Sequence, residues 1–327
     1  MINELEIHNF KSIKDLTLPC KRFNLFIGEP NTGKSNILEA LGLVSFVGVR
    51  QYDPNARLDG FVRHERLSNL FYDDAADKGL SIQCDRTHLD FVCEDGRFRG
   101  HYAGPEGVIA ELHADQHTVT EVHNRAGVWA PQVKFYRQPA VENFVESNCG
   151  SLLPPNGANL PSVLMQNDWL RYQSNLAFES QGLKLAFPGQ ANTIKLLKNY
   201  EDAIDTYPYK LASESLQRQV FYLTAIDSNA HATLLFEEPE AHSFPEAVHF
   251  LAEVIALDEN NNQYFLTTHS NHFLMSHLCK APSKDLGIHI VYSENHQTRV
   301  RTLSEEEIPQ LFEFNVFLNW EKFAYPE

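Results

Sequence analysis

One short stretch constrains this chain more than any other, because an apolar run there breaks abruptly into a glycine loop. Residues 23–35 read Phe-Asn-Leu-Phe-Ile-Gly-Glu-Pro-Asn-Thr-Gly-Lys-Ser, which fits the pattern G-x-x-x-x-G-K-[ST] at every fixed position. Glycine permits backbone angles that turn successive N–H groups inward, and such groups form a nest for phosphate oxygens. The helix predicted to begin near Lys34 directs the positive end of its dipole at the same place. The pattern therefore predicts a phosphate-binding loop between a buried strand and a helix.

The polar residues of this loop have predicted roles in holding a nucleotide. Lys34 would reach the β- and γ-phosphates, and Ser35 would be a ligand of Mg²⁺. The other predicted nucleotide-binding residues of the loop and the first helical turn are Gly28, Asn31, Thr32, Gly33 and Asn36. A glycine turn that happens to carry Lys-Ser is the simpler alternative, but the flanks are a buried-type strand and an apolar helix, as the loop requires. ATP and Mg²⁺ are the expected cofactors.

Composition limits the partners and the compartment. The formal net charge of the 327 residues is −16, which opposes a general grip on a nucleic-acid backbone, so any such contact must be local or supplied by a partner. The five cysteines are odd in number and lack C-x-x-C spacing, which favours neither a disulfide framework nor a zinc site and fits a reducing cytosol. The longest apolar stretch, residues 37–49, is too short to span a bilayer, and the amino terminus lacks a basic n-region. We therefore expect a cytoplasmic protein without a signal peptide.

The order of the predicted elements indicates an α/β fold in a single domain with two inserted subdomains. Short β-prone pieces follow residue 67, and a further strand covers residues 133–136, so residues 67–149 are assigned to an antiparallel β-subdomain plus one core strand. A Pro/Gly/Asn loop then leads into helical patterns at 164–174 and 194–204, which indicates a helical subdomain over 150–205. The nucleotide-binding core would comprise residues 1–66 and 206–327, with a solvated surface loop at 50–66.

A second buried-type strand ends in adjacent acids at Glu237 and Glu238. Two carboxylates at the end of a buried parallel strand cost stability unless a cation lies beside them. In a phosphate-loop protein that cation is Mg²⁺, and ligands lie at the carboxyl ends of the strands. Glu237 would hold the metal through water, whereas Glu238 would orient and deprotonate the attacking water. The alternative is a loop that simply begins with two acids.

Two further segments have both a functional and a structural interpretation. A third short buried strand ends at Thr268 and His269, and this histidine could hydrogen-bond the γ-phosphate. A purely structural histidine is the alternative. Residues 211–226 have helical apolar spacing behind Ser213, whose hydroxyl can accept a hydrogen bond from an orphan N–H at the helix start. A helix cap of this kind needs no ligand.

The ordered motifs resemble those of ABC-type ATPases related to RecF, SMC proteins and OLD-like enzymes. They are Asn-Phe-Lys-Ser at 9–12, the phosphate loop, Glu-Glu-Pro-Glu-Ala-His at 237–242 and Thr-His-Ser at 268–270. The resemblance covers nearly the whole chain and implies a P-loop NTPase head with a central, mostly parallel sheet. It implies a signature motif at 213–218, where Ser213 and Ser215 would contact the γ-phosphate of a second subunit, and Ser215 stands near the place of the usual glycine. It also implies that Gln138 is a Q-loop glutamine that contacts the nucleotide and the metal.

The resemblance also suggests a biological role. The chain contains no Asp-x-Asp pair, which the TOPRIM nuclease domain of OLD-like enzymes carries. Stand-alone heads of this kind resemble the ATPase subunits of prokaryotic anti-phage systems, so the leading hypothesis is an ATP-hydrolysing switch whose ATP-sandwiched homodimer gates a separate nuclease or toxin. The alternatives are a RecF-like DNA-repair ATPase that loads onto DNA, and a slow-turnover assembly scaffold. A small-substrate kinase or GTPase is disfavoured, because no Asn-Lys-x-Asp motif is present.

Overall fold

The computed structural model describes residues 1–125, 132–138, 144–189, 192–200 and 203–325; residues 126–131, inside the predicted β-subdomain, lie outside this set. The strands, in chain order, are β1 (Glu4–Phe10), β2 (Ile13–Pro19), β3 (Phe23–Ile27), β4 (Leu80–Cys84), β5 (Thr87–Glu94), β6 (Arg97–Gly104), β7 (Gly107–Ala114), β8 (Val119–Asn124), β9 (Val133–Tyr136), β10 (Leu183–Ala186), β11 (Lys195–Asn199), β12 (Ile204–Pro208), β13 (Thr233–Glu237), β14 (Gln263–Thr267), β15 (Leu286–Glu294) and β16 (Gln297–Thr302). The α-helices are α1 (Lys34–Val49), α2 (Leu160–Gln166), α3 (Asp168–Glu179), α4 (Glu214–Asp227), α5 (Pro245–Ala256), α6 (Asn271–Leu278), α7 (Gln310–Glu313) and α8 (Trp320–Ala324).

The strand that precedes the glycine loop lies inside a six-stranded, mostly parallel sheet. The strand order is β16-β15-β3-β14-β13-β9, and β3 pairs in parallel with both β14 and β15. All five residues of β3 are buried. A strand covered on both faces reads as a continuous apolar run, which is why this one does. The predicted central strand is confirmed.

Helix α1 is buried around most of its circumference because it lies between two sheets. One hydrophobic core joins α1 to Phe26 and Phe265 of the six-stranded sheet and to Ile7 and Phe91 of a second sheet. A helix that is apolar all round is one that is covered on all sides. The opposite face of the six-stranded sheet packs against α4, α5 and α6.

The second sheet is antiparallel, with the order β2-β1-β4-β5-β6-β7-β8. Its first two strands come from residues 1–66, so the stretch predicted to belong to the nucleotide-binding core contributes strands to both sheets. Strand β1 pairs with β2 and β4, so the chain begins in the antiparallel sheet and enters the six-stranded sheet only at β3. The alternating burial of β1 is typical of an antiparallel strand with one face toward the core, whereas β3 is apolar throughout.

The predicted helical subdomain contains both helices and strands. The helix expected at 164–174 is two helices, α2 and α3, separated by Asn167, whose side chain caps α3 by accepting the Leu170 N–H. The prediction of a helix at 194–204 is wrong. Strand β11 lies in this segment and pairs with β10 and β12 in a three-stranded antiparallel sheet. A short run of apolar residues fits both periods, and here the pairing partners decide. Within the described residues, no helix is long and apolar enough to cross a membrane.

Candidate active site

Three adjacent parallel strands bring the predicted site residues to one edge of the six-stranded sheet. In the register of the sheet Glu237 lies opposite Thr267, and Thr267 lies opposite Phe26 near the end of β3. The glycine loop, the acid pair and His269 follow these three strand ends directly. Ligands of open α/β sheets bind in the crevice at the carboxyl ends of the strands, so this edge is the candidate site.

The glycine loop has a backbone that only glycine can supply at two positions. A Cβ on Gly28 would lie 2.0 Å from the carbonyl oxygen of Val291 in β15, so the loop passes too close to that strand for any side chain. Gly33 has φ +97° at the N-cap of α1, and its Cβ would meet the Thr298 hydroxyl at 1.9 Å. Asn31 also adopts a left-handed conformation, with φ 63°. Such alternating backbone conformations turn N–H groups into an anion-binding concavity.

Lys34 lies against the loop from which it emerges. Its Nζ donates to the carbonyl oxygens of Gly28 at 2.9 Å and of Glu29 at 2.6 Å. Burial lowers the pKa of Lys34 to about 8, although Glu238 and Glu29 act in the opposite direction. The Thr32 hydroxyl also donates to the Glu29 carbonyl, at 2.9 Å. The ammonium group is thus held at the mouth of the loop, where its charge would face the phosphates.

A chain of polar contacts braces the loop from behind. Asn36 donates to the Ser12 hydroxyl at 2.6 Å, and the Ser12 hydroxyl lies 2.6 Å from that of Thr298. The Thr298 hydroxyl donates to the carbonyl oxygen of Thr32 at 2.9 Å. Asn36 is therefore engaged with the Asn-Phe-Lys-Ser turn, and its contact with a nucleotide stays a prediction. Sequence reasoning missed the bracing role of Ser12 and Thr298, because they lie 286 residues apart.

Both oxygens of the Glu237 carboxylate are held by arginines. Arg137 donates to Oε2 from NH2 at 2.7 Å and from Nε at 3.2 Å, and Arg63 donates to Oε1 at 3.0 Å. Burial would raise the pKa of Glu237, but Arg137, the Ser35 hydroxyl and Arg63 together lower it. Mg²⁺ prefers oxygen ligands, and the ionised carboxylate of Glu237 and the hydroxyl of Ser35 supply two of them side by side. These residues fit the predicted metal.

The arginines are anchored by a second, fully buried acid. Glu39, in the second turn of α1 and 0% exposed, accepts from Arg63 Nε at 2.6 Å and lies 3.5 Å from Arg137 NH2. The Lys11 ammonium donates to its other oxygen. Three cations thus share the two carboxylates Glu39 and Glu237, so the network carries an excess positive charge. Sequence reasoning missed this network. The one feature of the sequence that indicated it was Glu39, an acid inside an otherwise apolar helix.

Glu238 and His269 face each other beside Ser35 and Glu237, the predicted metal ligands. The Glu238 backbone has φ 42°, and its N–H donates to the Thr267 carbonyl oxygen at 3.1 Å. Its carboxylate lies 3.4 Å from His269 Nε2 and is 42% exposed. Burial and the Lys34 ammonium lower the pKa of His269, whereas Glu238 raises it. An accessible carboxylate beside an imidazole can orient and deprotonate a water.

Gln138 reaches this site through an arginine of the predicted signature motif. Arg218, which is 9% exposed, donates to the Glu238 carbonyl oxygen at 2.9 Å, and its NH1 lies 3.5 Å from Gln138 Oε1. Gln138 lies two residues after the end of β9 and is half-buried. Its contacts with a nucleotide or a metal stay predictions.

Ser213 and Ser215 lie at the start of α4. Ser213 caps α4 by accepting the Leu216 N–H at 3.4 Å, which confirms the predicted cap. Both serines line a cavity of about 520 Å³ between α3, α4 and α5, whereas Glu238 and His269 line a separate cavity of about 350 Å³. The structure therefore brings the loop, the acid pair and His269 together, and places the two serines at a neighbouring cavity.

The fold resembles that of SMC head domains, one of the groups that the motifs of the sequence resemble. Residues 1–85 match the family model described as AAA ATPase domain. No curated protein matches the chain.

Two solved structures show the likeness of fold over almost the whole chain. One is an SMC head bound to the C-winged helix domain of ScpA, with 15% identity, 94% of this chain and 99% of that chain covered, and a TM-score of 0.53. The other is an Smc head domain with an extended coiled coil, bound to the C-terminal domain of ScpA derived from Pyrococcus furiosus, with 14% identity, 95% and 98% coverage and a TM-score of 0.52.

Proposed function

We propose that the chain is an ATP-hydrolysing switch. The observation that carries this proposal is the convergence of the glycine loop, Glu237, Glu238 and His269 at one edge of the sheet. In this proposal Lys34 and the loop N–H groups bind the phosphates, Glu238 accepts a proton from the attacking water, and His269 donates a hydrogen bond to the γ-phosphate. Phosphoryl transfer depends mainly on positioning and electrostatic stabilisation, which this edge supplies.

Ser35 and Glu237 would hold Mg²⁺, whose charge stabilises the phosphates when it is bound. Arg63 and Arg137 now occupy both oxygens of Glu237, so Mg²⁺ would have to replace one of these contacts. Arg63 is 57% exposed on its side chain and can therefore leave the carboxylate without unfolding the core.

The proposal also includes a second copy of the chain. Ser213 and Ser215 line a cavity next to that of Glu238 and His269, and in this proposal they complete the site of a second chain, with ATP sandwiched between the two copies. Because each copy carries a net charge of −16, closure depends on the nucleotide rather than on charge attraction. The similar SMC heads are bound to domains of ScpA, which favours a partner protein here too. We infer that dimer closure gates a separate effector, a nuclease or toxin, in anti-phage defence, with DNA as a candidate trigger.

The Glu238→Gln variant tests the switch. The substitution keeps the shape and removes the proton acceptor, so kcat should fall by about 10²- to 10⁴-fold, the usual contribution of a general base. Since ATP binding is retained, the variant should form an ATP-dependent dimer, measured by light scattering beside phosphate release. Glu121→Gln, an exposed change on β8, is the control and should behave as the wild type. A Glu238→Gln variant that hydrolyses ATP at the wild-type rate, or stays monomeric with ATP, contradicts the proposal.

A further inference from the structure

Glu240 is a buried acid to which the proposed reaction gives no role. Glu240 is 7% exposed and lies in the turn that follows β13, two residues after Glu238. Its Oε1 accepts two hydrogen bonds from the turn that follows β14: the Thr268 hydroxyl donates at 2.5 Å and the His269 N–H at 3.3 Å. One oxygen of the Glu240 carboxylate thus joins the turn that carries Glu238, the proposed base, to the turn that carries His269, the proposed ligand of the γ-phosphate.

This link begins where the sheet ends. The last ladder pair between β13 and β14 is Glu237 with Thr267, and beyond it the two turns separate around the site cavity. The Thr268 hydroxyl also accepts the Ser270 N–H at 3.0 Å, so the contact with Glu240 extends to the start of α6. The distance between the side chains of Glu238 and His269 therefore depends on the contact of the Glu240 carboxylate with the turn after β14, and not only on the pairing of β13 with β14.

The energetics favour a functional reason for an acid at this position. A buried carboxylate costs free energy unless its oxygens are paired, and among the described residues Oε2 of Glu240 has no hydrogen-bond partner. Burial raises the pKa of Glu240 above its usual value, although its hydrogen bonds with Thr268 and His269 lower it. An apolar residue at this position would avoid the free-energy cost of burying a carboxylate. It could not, however, accept the hydrogen bonds of Thr268 and His269.

We propose that Glu240 is a positioning residue, which holds the turn of His269 against the turn of Glu238 so that the two side chains meet across the reacting phosphate. This inference rests on the proposed ATPase activity. A positioning residue acts on the rate of the chemical step and little on nucleotide affinity, because the loop and Lys34 bind the phosphates independently of it.

Three variants test the role of Glu240. Glu240→Ala removes the acceptor, and since a displacement of about 1 Å can cost about 100-fold, kcat should fall by about 10- to 100-fold with the KM for ATP within about threefold of wild type. Glu240→Gln keeps an acceptor oxygen and should restore kcat to within about threefold of wild type. Thr268→Val removes the hydroxyl bonds with Glu240 and Ser270 but leaves the bond from the His269 N–H to Glu240, and it should have an intermediate kcat.

A second readout follows the His269 ring itself. We expect its NMR titration, assigned by comparison with His269→Gln, to move toward that of a free imidazole in Glu240→Ala, because the ring leaves the Lys34 ammonium and its partly buried place. This readout needs no hydrolysis, so it stands even if the dimer switch fails. A Glu240→Ala variant with unchanged kcat and unchanged His269 titration would overturn the proposal, as would a Glu240→Gln variant as impaired as Glu240→Ala. If Glu240→Ala does not fold, Thr268→Val decides by the same two readouts.

Discussion

Two buried histidines flank the strand that carries the glycine loop, and acid should therefore destabilise this part of the core. The His277 ring meets Phe23 of β3 edge-on with centroids 4.9 Å apart, and the His289 ring stacks on Phe26 of the same strand at 4.8 Å. Both histidines are 0% exposed. Burial lowers the pKa of His277 to about 4, against a smaller opposing effect of the Ala252 carbonyl, and that of His289 to about 3.

The sign of the effect follows from proton binding in the two states. In the folded chain both rings stay neutral until the pH approaches 4, whereas in the unfolded chain they bind a proton near pH 6.5. The unfolded state therefore binds more protons in this window, and the free energy of unfolding falls as the pH falls. Between pH 7 and pH 5 each histidine accounts for a loss of about 2 kcal/mol, so the pair accounts for about 4 kcal/mol. A loss of this size is a large part of the ~5–15 kcal/mol that stabilises a typical domain.

Urea unfolding at pH 7 and pH 5 measures this loss in wild type and in His277→Leu. Leucine suits the apolar surroundings and does not titrate, so the variant should lose about 2 kcal/mol less than wild type between the two pH values. His101→Leu, at an exposed position on β6, is the matched control and should lose as much as wild type. A His277→Leu variant whose loss equals that of wild type would refute the burial of a neutral ring beside β3.

Two further predictions concern the loop and the ion-pair network. Gly28→Ala should weaken binding of a fluorescent ATP analogue at least about tenfold, or about 1.4 kcal/mol, because the new methyl group would lie 2.0 Å from a carbonyl oxygen of β15. Gly150→Ala, where a Cβ meets nothing within 4 Å, should bind as wild type, and equal affinities would contradict the close approach. Glu39→Gln should lower the free energy of unfolding by about 3 kcal/mol, because it leaves the mostly buried Lys11 ammonium without its charged partner and weakens the contact with Arg137. Glu294→Gln breaks an exposed pair and should cost about 0.5 kcal/mol or less, and similar losses in both variants would count against the network.

The sequence by itself identified the features that depend on neighbouring residues. The fixed positions of the loop, the buried-type strand before it and the helix after it lie within about one supersecondary unit, so local pattern suffices to predict them. The same holds for the cap at Ser213, which the structure confirms. The acid pair could also be placed near the loop, because parallel strands end at the same edge of a sheet.

Arg63 shows what such reasoning cannot reach. We assigned it to a solvated surface loop, yet it binds Glu39, 24 residues away, and Glu237, 174 residues away. A charged side chain gives no local sign of which acid it will meet, since that depends on how the elements pack. Glu39 was the available clue, because an acid within an apolar helix requires a cationic partner.

Tertiary structure alone decided where the ambiguous strands lie. The apolar spacing of residues 194–204 fits a helix, but β10 and β12 supply the backbone partners that make β11 a strand. Likewise β1 joins the antiparallel sheet because β4, more than 70 residues later, supplies its second edge. Helix and loop hydrogen bonds close within a few residues, so sequence can determine them, whereas sheet pairing and ion pairs join distant segments and are settled only when the chain packs.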